Sequence, residues 1–187
     1  MNLKIKTERL ILMPPTLADV QRITKLVGDR DVAWMLGRVP FPYTKEDAKW
    51  WVNKAAEDIR EGSEYAFGVY LVGDGLIGSC GLTKHGPYWE IGYWFGRPYW
   101  EQGFATEAGH AVLNWARTEI PAEGFISGHI TDNASSGRVL RKLGFEPVGE
   151  KMMYVRARDE RVLAVRYTLN APAEASLAPD DHGEGHD

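Results

Sequence analysis

The stretch richest in possible chemistry runs Phe95-Gly-Arg-Pro-Tyr-Trp-Glu-Gln-Gly-Phe-Ala-Thr-Glu-Ala108. It reads as a strand that turns and then opens a helix at Gly103. Glycine allows close backbone approach, and the first N–H groups of a helix have no carbonyl partner inside it. With the helix dipole they make a site for an anion such as a pyrophosphate. The alternative is a glycine that only turns the chain. GxxxxGK(S/T) is absent, which excludes the Walker A loop, and no GxGxxG opens this helix, so the dinucleotide fingerprint does not fit it. A second stretch, Asp132-Asn-Ala-Ser-Ser-Gly-Arg-Val-Leu-Arg-Lys-Leu-Gly-Phe145, places Asn133 as a helix cap and Ser136 in the first turn. On spacing alone this is either a plain cap or part of a site.

The elements that must position these segments alternate along the chain. Leu10-Ile-Leu-Met13 is a strand that stops at Pro14-Pro15. Thr16-x-x-Asp19 and Thr44-x-x-Asp47 are capping boxes, each followed by apolar residues at helical spacing. Between the two helices, Trp34 to Tyr43 is an aromatic, Pro-containing loop suited to covering a pocket. Tyr65–Val72 and Leu76–Leu82 flank Gly73-Asp74-Gly75, a hairpin signal, and Trp89–Phe95 is a further strand. Gly103–Ile120 reads as a helix, Phe125–Ile130 as a strand, and Asn133–Leu143 as a short helix ended by Gly144. Tyr154-Val155 and Arg161–Leu169 close the sheet. Trp50, Trp51 and Trp115 are expected in the core, and Trp89, Tyr93 and Trp94 are divided between core and pocket.

The whole chain of 187 residues carries 22 Lys and Arg against 26 Asp and Glu, a formal −4. The segment Ala171–Asp187 holds five of the acids, no Lys or Arg, and Leu177 as its single large aliphatic residue. It reads as a disordered acidic tail after a domain over 1–170. That domain has 22 basic and 21 acidic side chains, a formal +1. No basic footprint for nucleic acid and no apolar run of membrane-spanning length is present. The N-terminal residues alternate in charge too early for a secretory signal, so the cytoplasm is the expected compartment. One cysteine, Cys80, excludes an intrachain disulfide, and His85, His110 and His129 follow no metal spacing. No bound metal is expected.

Taken together, the segments resemble the GCN5-related N-acetyltransferase (GNAT) superfamily, nearest to its ribosomal-protein alanine acetyltransferase branch. Trp100-Glu-Gln-Gly-Phe-Ala105 is similar to the acetyl-CoA signature Gln/Arg-x-x-Gly-x-Gly/Ala, with Gly103 and Ala105 matching and Trp100 departing as is usual in that branch. Glu101 stands where the branch has Gly, so its side chain is expected to point outward. Glu90-Ile-Gly-Tyr93, Asn133-x-x-Ser136 and Leu140-x-Lys-Leu-Gly-Phe145 match the branch at the expected distances. The resemblance implies an α/β (α+β) GNAT fold. Its central twisted sheet is mixed but mostly antiparallel, with about six to seven strands splayed in the middle and about four flanking helices.

It also implies direct transfer of an acetyl group from acetyl-CoA to an amine. The cofactor arm would lie in the splay along the backbone of Trp94 and Phe95, with its pyrophosphate on the N–H groups of Gln102, Gly103, Phe104, Ala105 and Thr106. Ser136 is the expected acid for the leaving thiolate, and Asn133 is expected to hold the cofactor or a water. Glu90 is the candidate base, because strand alternation puts Glu90, Gly92 and Trp94 on one face. Trp34, Tyr43 and Glu90 are the candidate acceptor contacts. The expected acceptor is a protein N-terminal amine. A small-molecule amine, or an acyl-CoA-sensing module without catalysis, is the alternative, in a monomer or homodimer.

Overall fold

The structure is a computed structural model that describes residues 3–178. Its strands are Ile5–Lys6 (β1), Leu10–Met13 (β2), Glu64–Leu71 (β3), Gly75–His85 (β4), Tyr88–Phe95 (β5), Gly124–Ile130 (β6), Glu146–Val155 (β7) and Glu160–Leu169 (β8). Its helices are Val20–Val27 (α1), Arg30–Ala33 (α2), Lys45–Glu61 (α3), Phe104–Glu119 (α4), Ala134–Lys142 (α5) and Ala173–Leu177 (α6). All eight strands form one sheet in the order β1-β2-β3-β4-β5-β6-β8-β7. Every pairing is antiparallel except β5 with β6. The strand number exceeds expectation by two-residue β1, which adds an edge; the strand expected at Tyr154-Val155 reaches back to Glu146 without adding to the number.

The parallel pairing is what positions a site. β5 and β6 touch through only Tyr88↔Gly124, Trp89↔Phe125 and Glu90↔Ile126. Beyond Glu90 and Ile126 the two strands part, each still held on its other side by β4 and β8. The sheet is thus two antiparallel halves joined at one end and splayed at the other.

Helices cover both faces. On one face α4 packs Phe104, Ala108, Val112, Trp115 and Ala116 against Leu12, Phe67, Ile91 and Phe95. Trp115 meets Tyr65 and Phe67 edge-on, with ring centroids 5.0 and 5.1 Å apart. Each such pair adds about 0.5–1.5 kcal/mol beyond the area it buries. On the other face α1 and α3 enclose Val20, Ile23, Val27, Ala48 and Val52 over Leu76. The Thr16 and Thr44 boxes form, with Asp19 and Asp47 each accepting the cap residue's own N–H at 2.8 Å.

Two expectations are corrected. Trp50 is 66% exposed while Trp115 is buried. The buried stripe of α3 runs through Ala48, Val52 and Ala55, and a residue two positions from Ala48 lies about 200° round the helix. The expected boundary at 170 also falls within described, packed chain. Helix α6 lies on β7 and β8, with Ser176 1% exposed. The cause is polar: Arg166 is buried, and its Nε donates to the Ser176 carbonyl (3.0 Å) and hydroxyl (3.2 Å). A buried cation needs such partners, and an apolar count of the segment cannot show them. The rest of the expected tail, 179–187, lies outside the described residues.

Candidate active site

Helix α4 opens where the chain needs a left-handed backbone: Gly103 has φ 81°. The first intrahelical bond is Glu107 N–H to the Gly103 carbonyl at 3.0 Å. The N–H groups of Phe104, Ala105 and Thr106 therefore have no carbonyl inside the helix and point out of its end. Arg9, which the motif reading does not include, reinforces this end. Its guanidinium sits 4.4 Å from the Phe104 ring centroid and donates to the Gln102 carbonyl at 3.0 Å. Glu107 anchors it, accepting from Arg9 Nε at 2.7 Å and from Thr7 Oγ1 at 2.6 Å. Burial alone would raise the Glu107 carboxyl, but these bonds outweigh it and hold it below its usual value. Glu101 is exposed. A cationic side chain beside unpaired helix N–H groups fits a phosphate-bearing group such as CoA.

The splay supplies the channel. Ser127 Oγ donates to the Ile91 carbonyl at 2.9 Å, closing the gap at its base. Trp100 Nε1 donates to the Phe95 carbonyl at 2.7 Å. Along a strand, backbone polar groups face the same edge at every second residue. Ile91, Tyr93 and Phe95 therefore turn their N–H and C=O groups to the gap, while those of Trp94 turn to β4. The expectation that Trp94 and Phe95 both turn backbone to the gap therefore holds for Phe95 and not for Trp94; Tyr93 is the other residue whose N–H and C=O face it. The Trp94 side chain lies on the opposite face, edge-on to Trp51 at 6.4 Å.

On the α5 side of the gap, the Asn133 carboxamide oxygen accepts from the Ser136 N–H at 3.2 Å, so Asn133 caps the helix. The Ser136 hydroxyl meets Tyr93 Oη at 3.1 Å, and Tyr93 Oη also donates to the Ser136 carbonyl at 3.1 Å. Burial raises the Tyr93 phenol well above its usual range, so it stays protonated. Sequence alternation left Tyr93 undecided between core and pocket; only the fold brings it to Ser136. Cys80 is fully buried and its thiol is pushed up to about 12, which leaves it no nucleophilic thiolate.

On the other face, Glu90 and Trp94 flank Gly92, as alternation predicts. A Cβ at Gly92 would meet nothing within 4 Å, so the face is open there beside the splay. Glu90 is held from two sides, by Arg166 Nη2 at 2.7 Å and His85 Nε2 at 3.2 Å. Arg166 reaches it across Gly128 of β6, where a Cβ would stand 2.6 Å from Nη1. Burial works to raise the Glu90 carboxyl, but the adjacent His85 imidazole and the charge and hydrogen bond of Arg166 prevail and hold it at about 2. A carboxylate so held is a poor store for a proton at neutral pH.

Among the described residues, Trp34 and Tyr43 make their contacts away from Glu90. Trp34 packs edge-on to Phe41 at 5.6 Å and under the Arg30 guanidinium at 4.4 Å. Its carbonyl accepts from Arg158 Nε at 2.9 Å, and the Gly37 carbonyl accepts from the Arg156 N–H at 2.9 Å, so the loop is pinned to the β7–β8 turn. Tyr43 packs on the α1–α3 cluster alongside Trp51 and Trp94. Burial, helped by Asp47, pushes its phenol up to about 12.

Residues 9–146 match the family model described as "Acetyltransferase (GNAT) domain". The uncharacterized N-acetyltransferase YnaD of Bacillus subtilis is 32% identical over 148 residues, 78% of this chain and 84% of its own. A GNAT-family acetyltransferase structure from Bacillus anthracis is 27% identical, with a TM-score of 0.76 over 89% of this chain and 97% of that one. RimL, a ribosomal L7/L12 alpha-N-protein acetyltransferase solved with coenzyme A, shares the fold at 17% identity. Its TM-score is 0.78 over 90% of this chain and 99% of its own.

Proposed function

The chain belongs to the GNAT acetyltransferase family and is an acetyl-CoA-dependent N-acetyltransferase, and from that premise we propose that its acceptor is a protein N-terminal α-amine. RimL, which shares the fold, carries that acceptor class in its name and supports the reading. The observation that carries the catalytic assignment is the splay itself. It opens directly after Glu90 and Ile126, with the α4 N-terminus along one wall and Ser136 across from β5.

Acetyl-CoA supplies an acyl carbon activated as a thioester. The chain's residues do the rest. The N–H groups from Gly103 to Thr106, with Arg9 beside them, hold the pyrophosphate. The gap-facing groups of Tyr93 and Phe95 orient the pantetheine arm. On the open face, Gly92 leaves the amine a line of approach between Glu90 and Trp94. Glu90 acts by charge: it draws in the ammonium and passes its proton through water to solvent, without keeping it. Ser136 gives a hydrogen bond to the departing sulfur, a modest demand because a thiolate is already a good leaving group.

The test is thiol release from acetyl-CoA with N-terminal peptides, free amino acids, polyamines and aminoglycosides as acceptors. Peptides with free N-termini should turn over at least about tenfold faster than the same peptides N-acetylated or the small amines, one decade being 1.36 kcal/mol in barrier. Faster turnover of a small amine overturns the acceptor class.

A further inference from the structure

Tyr93 ends the Glu90–Tyr93 strand motif, yet the resemblance assigns it no role; its side chain joins the two arms of the splay beside Ser136. It stands on β5, which belongs to one half of the sheet, and it bonds to α5, which follows β6 in the other half. Both contacts go to one residue: the Ser136 hydroxyl gives its hydrogen to Tyr93 Oη, and Tyr93 Oη gives its own to the Ser136 main-chain carbonyl, each at 3.1 Å. A serine hydroxyl rotates freely unless a partner fixes it. Here the backbone of Ser136 is fixed by the Asn133 cap and its side chain by Tyr93 alone among the described residues.

We propose that Tyr93 is a positioning residue for the acetyl transfer: its hydroxyl holds Ser136 Oγ at the gap and takes up the hydrogen-bonding slack when Ser136 turns to the sulfur. The proposal rests on the reading of Ser136 as the group that serves the leaving thiolate. In the step concerned, the amine nitrogen–acyl carbon bond forms and the carbon–sulfur bond breaks. The proton lost from nitrogen goes to water, and the sulfur leaves as a thiolate that later takes a proton from water. As the carbon–sulfur bond breaks, the Ser136 O–H swings from Tyr93 Oη to sulfur. The Tyr93 O–H then swings from the Ser136 carbonyl to the lone pair that Ser136 Oγ now turns towards it. No proton changes oxygen. Ser136 remains a hydroxyl that accepts one bond while giving another, and chains of this kind strengthen each member. Burial, which keeps Tyr93 protonated, suits a residue that must always donate.

The test uses the full chain, acetyl-CoA and hydroxylamine, a small nucleophile that is neutral at pH 7 and needs no acceptor recognition. Wild type, Tyr93→Phe, Ser136→Ala and the double variant are compared for kcat by thiol release and for CoA affinity by calorimetry. Tyr93→Phe is expected to lower kcat about tenfold, the order of one lost hydrogen bond at the reacting group, with CoA affinity within about twofold. In the Ser136→Ala background the same change should cost less than about twofold, because non-additivity marks residues acting as one unit.

Wild-type kcat for Tyr93→Phe beside a slow Ser136→Ala overturns the proposal and leaves the Ser136 reading standing. So does an equal cost in both backgrounds, which marks mere packing. Full activity of Ser136→Ala overturns the Ser136 reading and the proposal with it. If Tyr93→Phe fails to bind CoA, 3-fluorotyrosine placed at position 93 keeps ring and hydroxyl and changes only the acidity. A changed kcat then supports the proposal, and an unchanged one overturns it.

Discussion

Glu90 and Ser136 both carry oxygens beside the splay, and their surroundings suit them to different work. Arg166 and His85 hold the Glu90 carboxyl at about 2, against an ordinary value of 4.5. A carboxyl depressed on folding contributes stability that is complete above 4.5 and is lost as pH falls through about 2. In acid, the melting temperature of the wild type should therefore fall more steeply between those limits than that of Glu90→Gln, measured by circular dichroism at a series of pH values. Parallel curves would show that the ion pair contributes nothing to acid stability. Ser136→Ala should lower kcat at least about tenfold with little change in acetyl-CoA affinity, if the hydroxyl serves only the leaving group. At Gly92 a side chain has room, so Gly92→Val should fold normally yet raise the acceptor KM several-fold, with acetyl-CoA affinity intact. An unchanged acceptor KM would move the amine's approach elsewhere. Sequence alone showed that Glu90, Gly92 and Trp94 share a face, because strand periodicity is local. It could not show that Glu90 is clamped, because Arg166 lies 76 residues away and His85 comes back through a hairpin.

At the scale of elements, the N-terminus of α4 is made by one backbone conformation. Gly103→Ala would put a Cβ on a residue with φ 81°, costing about 1–2 kcal/mol from the backbone conformation alone, since the new methyl would meet Arg9 only at an ordinary contact distance of 3.5 Å. The expected result is weaker CoA binding by calorimetry, with Tyr93 and Ser136 chemistry intact once the site is saturated. Among the described residues helix α6 joins the buried Arg166 network through Ser176, so a chain ending at Asn170 leaves Arg166 Nε without these partners. It should lose about 1–3 kcal/mol in urea unfolding relative to a chain ending at Ala178. Equal stabilities would make α6 a passive covering. Both helices of the motif regions, 104–119 and 134–142, were legible from caps and apolar spacing. Helix α6 was not, because five residues held by polar ties from Arg166 and Lys151 leave no periodic trace.

At the scale of the whole molecule, the sequence's order of elements dictates the architecture. A run of hairpins yields an antiparallel half, and the strand–helix–strand passage through α4 forces β6 to lie parallel to β5. The extent of that pairing is long-range information: three pairs and then divergence depend on how α4 and α5 wedge the halves, not on the β-propensity of Trp94 or His129. Among the described residues no helix is long and apolar enough to cross a membrane. The formal charge of −4 separates into +1 over residues 1–170 and five acids after them, so it carries no message about the acceptor.

The three-pair seam between the halves has a consequence for how long the protein lasts in a cell. A sheet joined so narrowly leaves the gap-facing amides of Tyr93 and Phe95 without strand partners until a ligand lies along them. Whatever fills the gap acts as a removable strand, and ligand at 100 times its Kd would add about 2.7 kcal/mol of stability. Resistance to proteolysis should then rise and fall with the supply of CoA, tying the abundance of this enzyme to the metabolic state that feeds it.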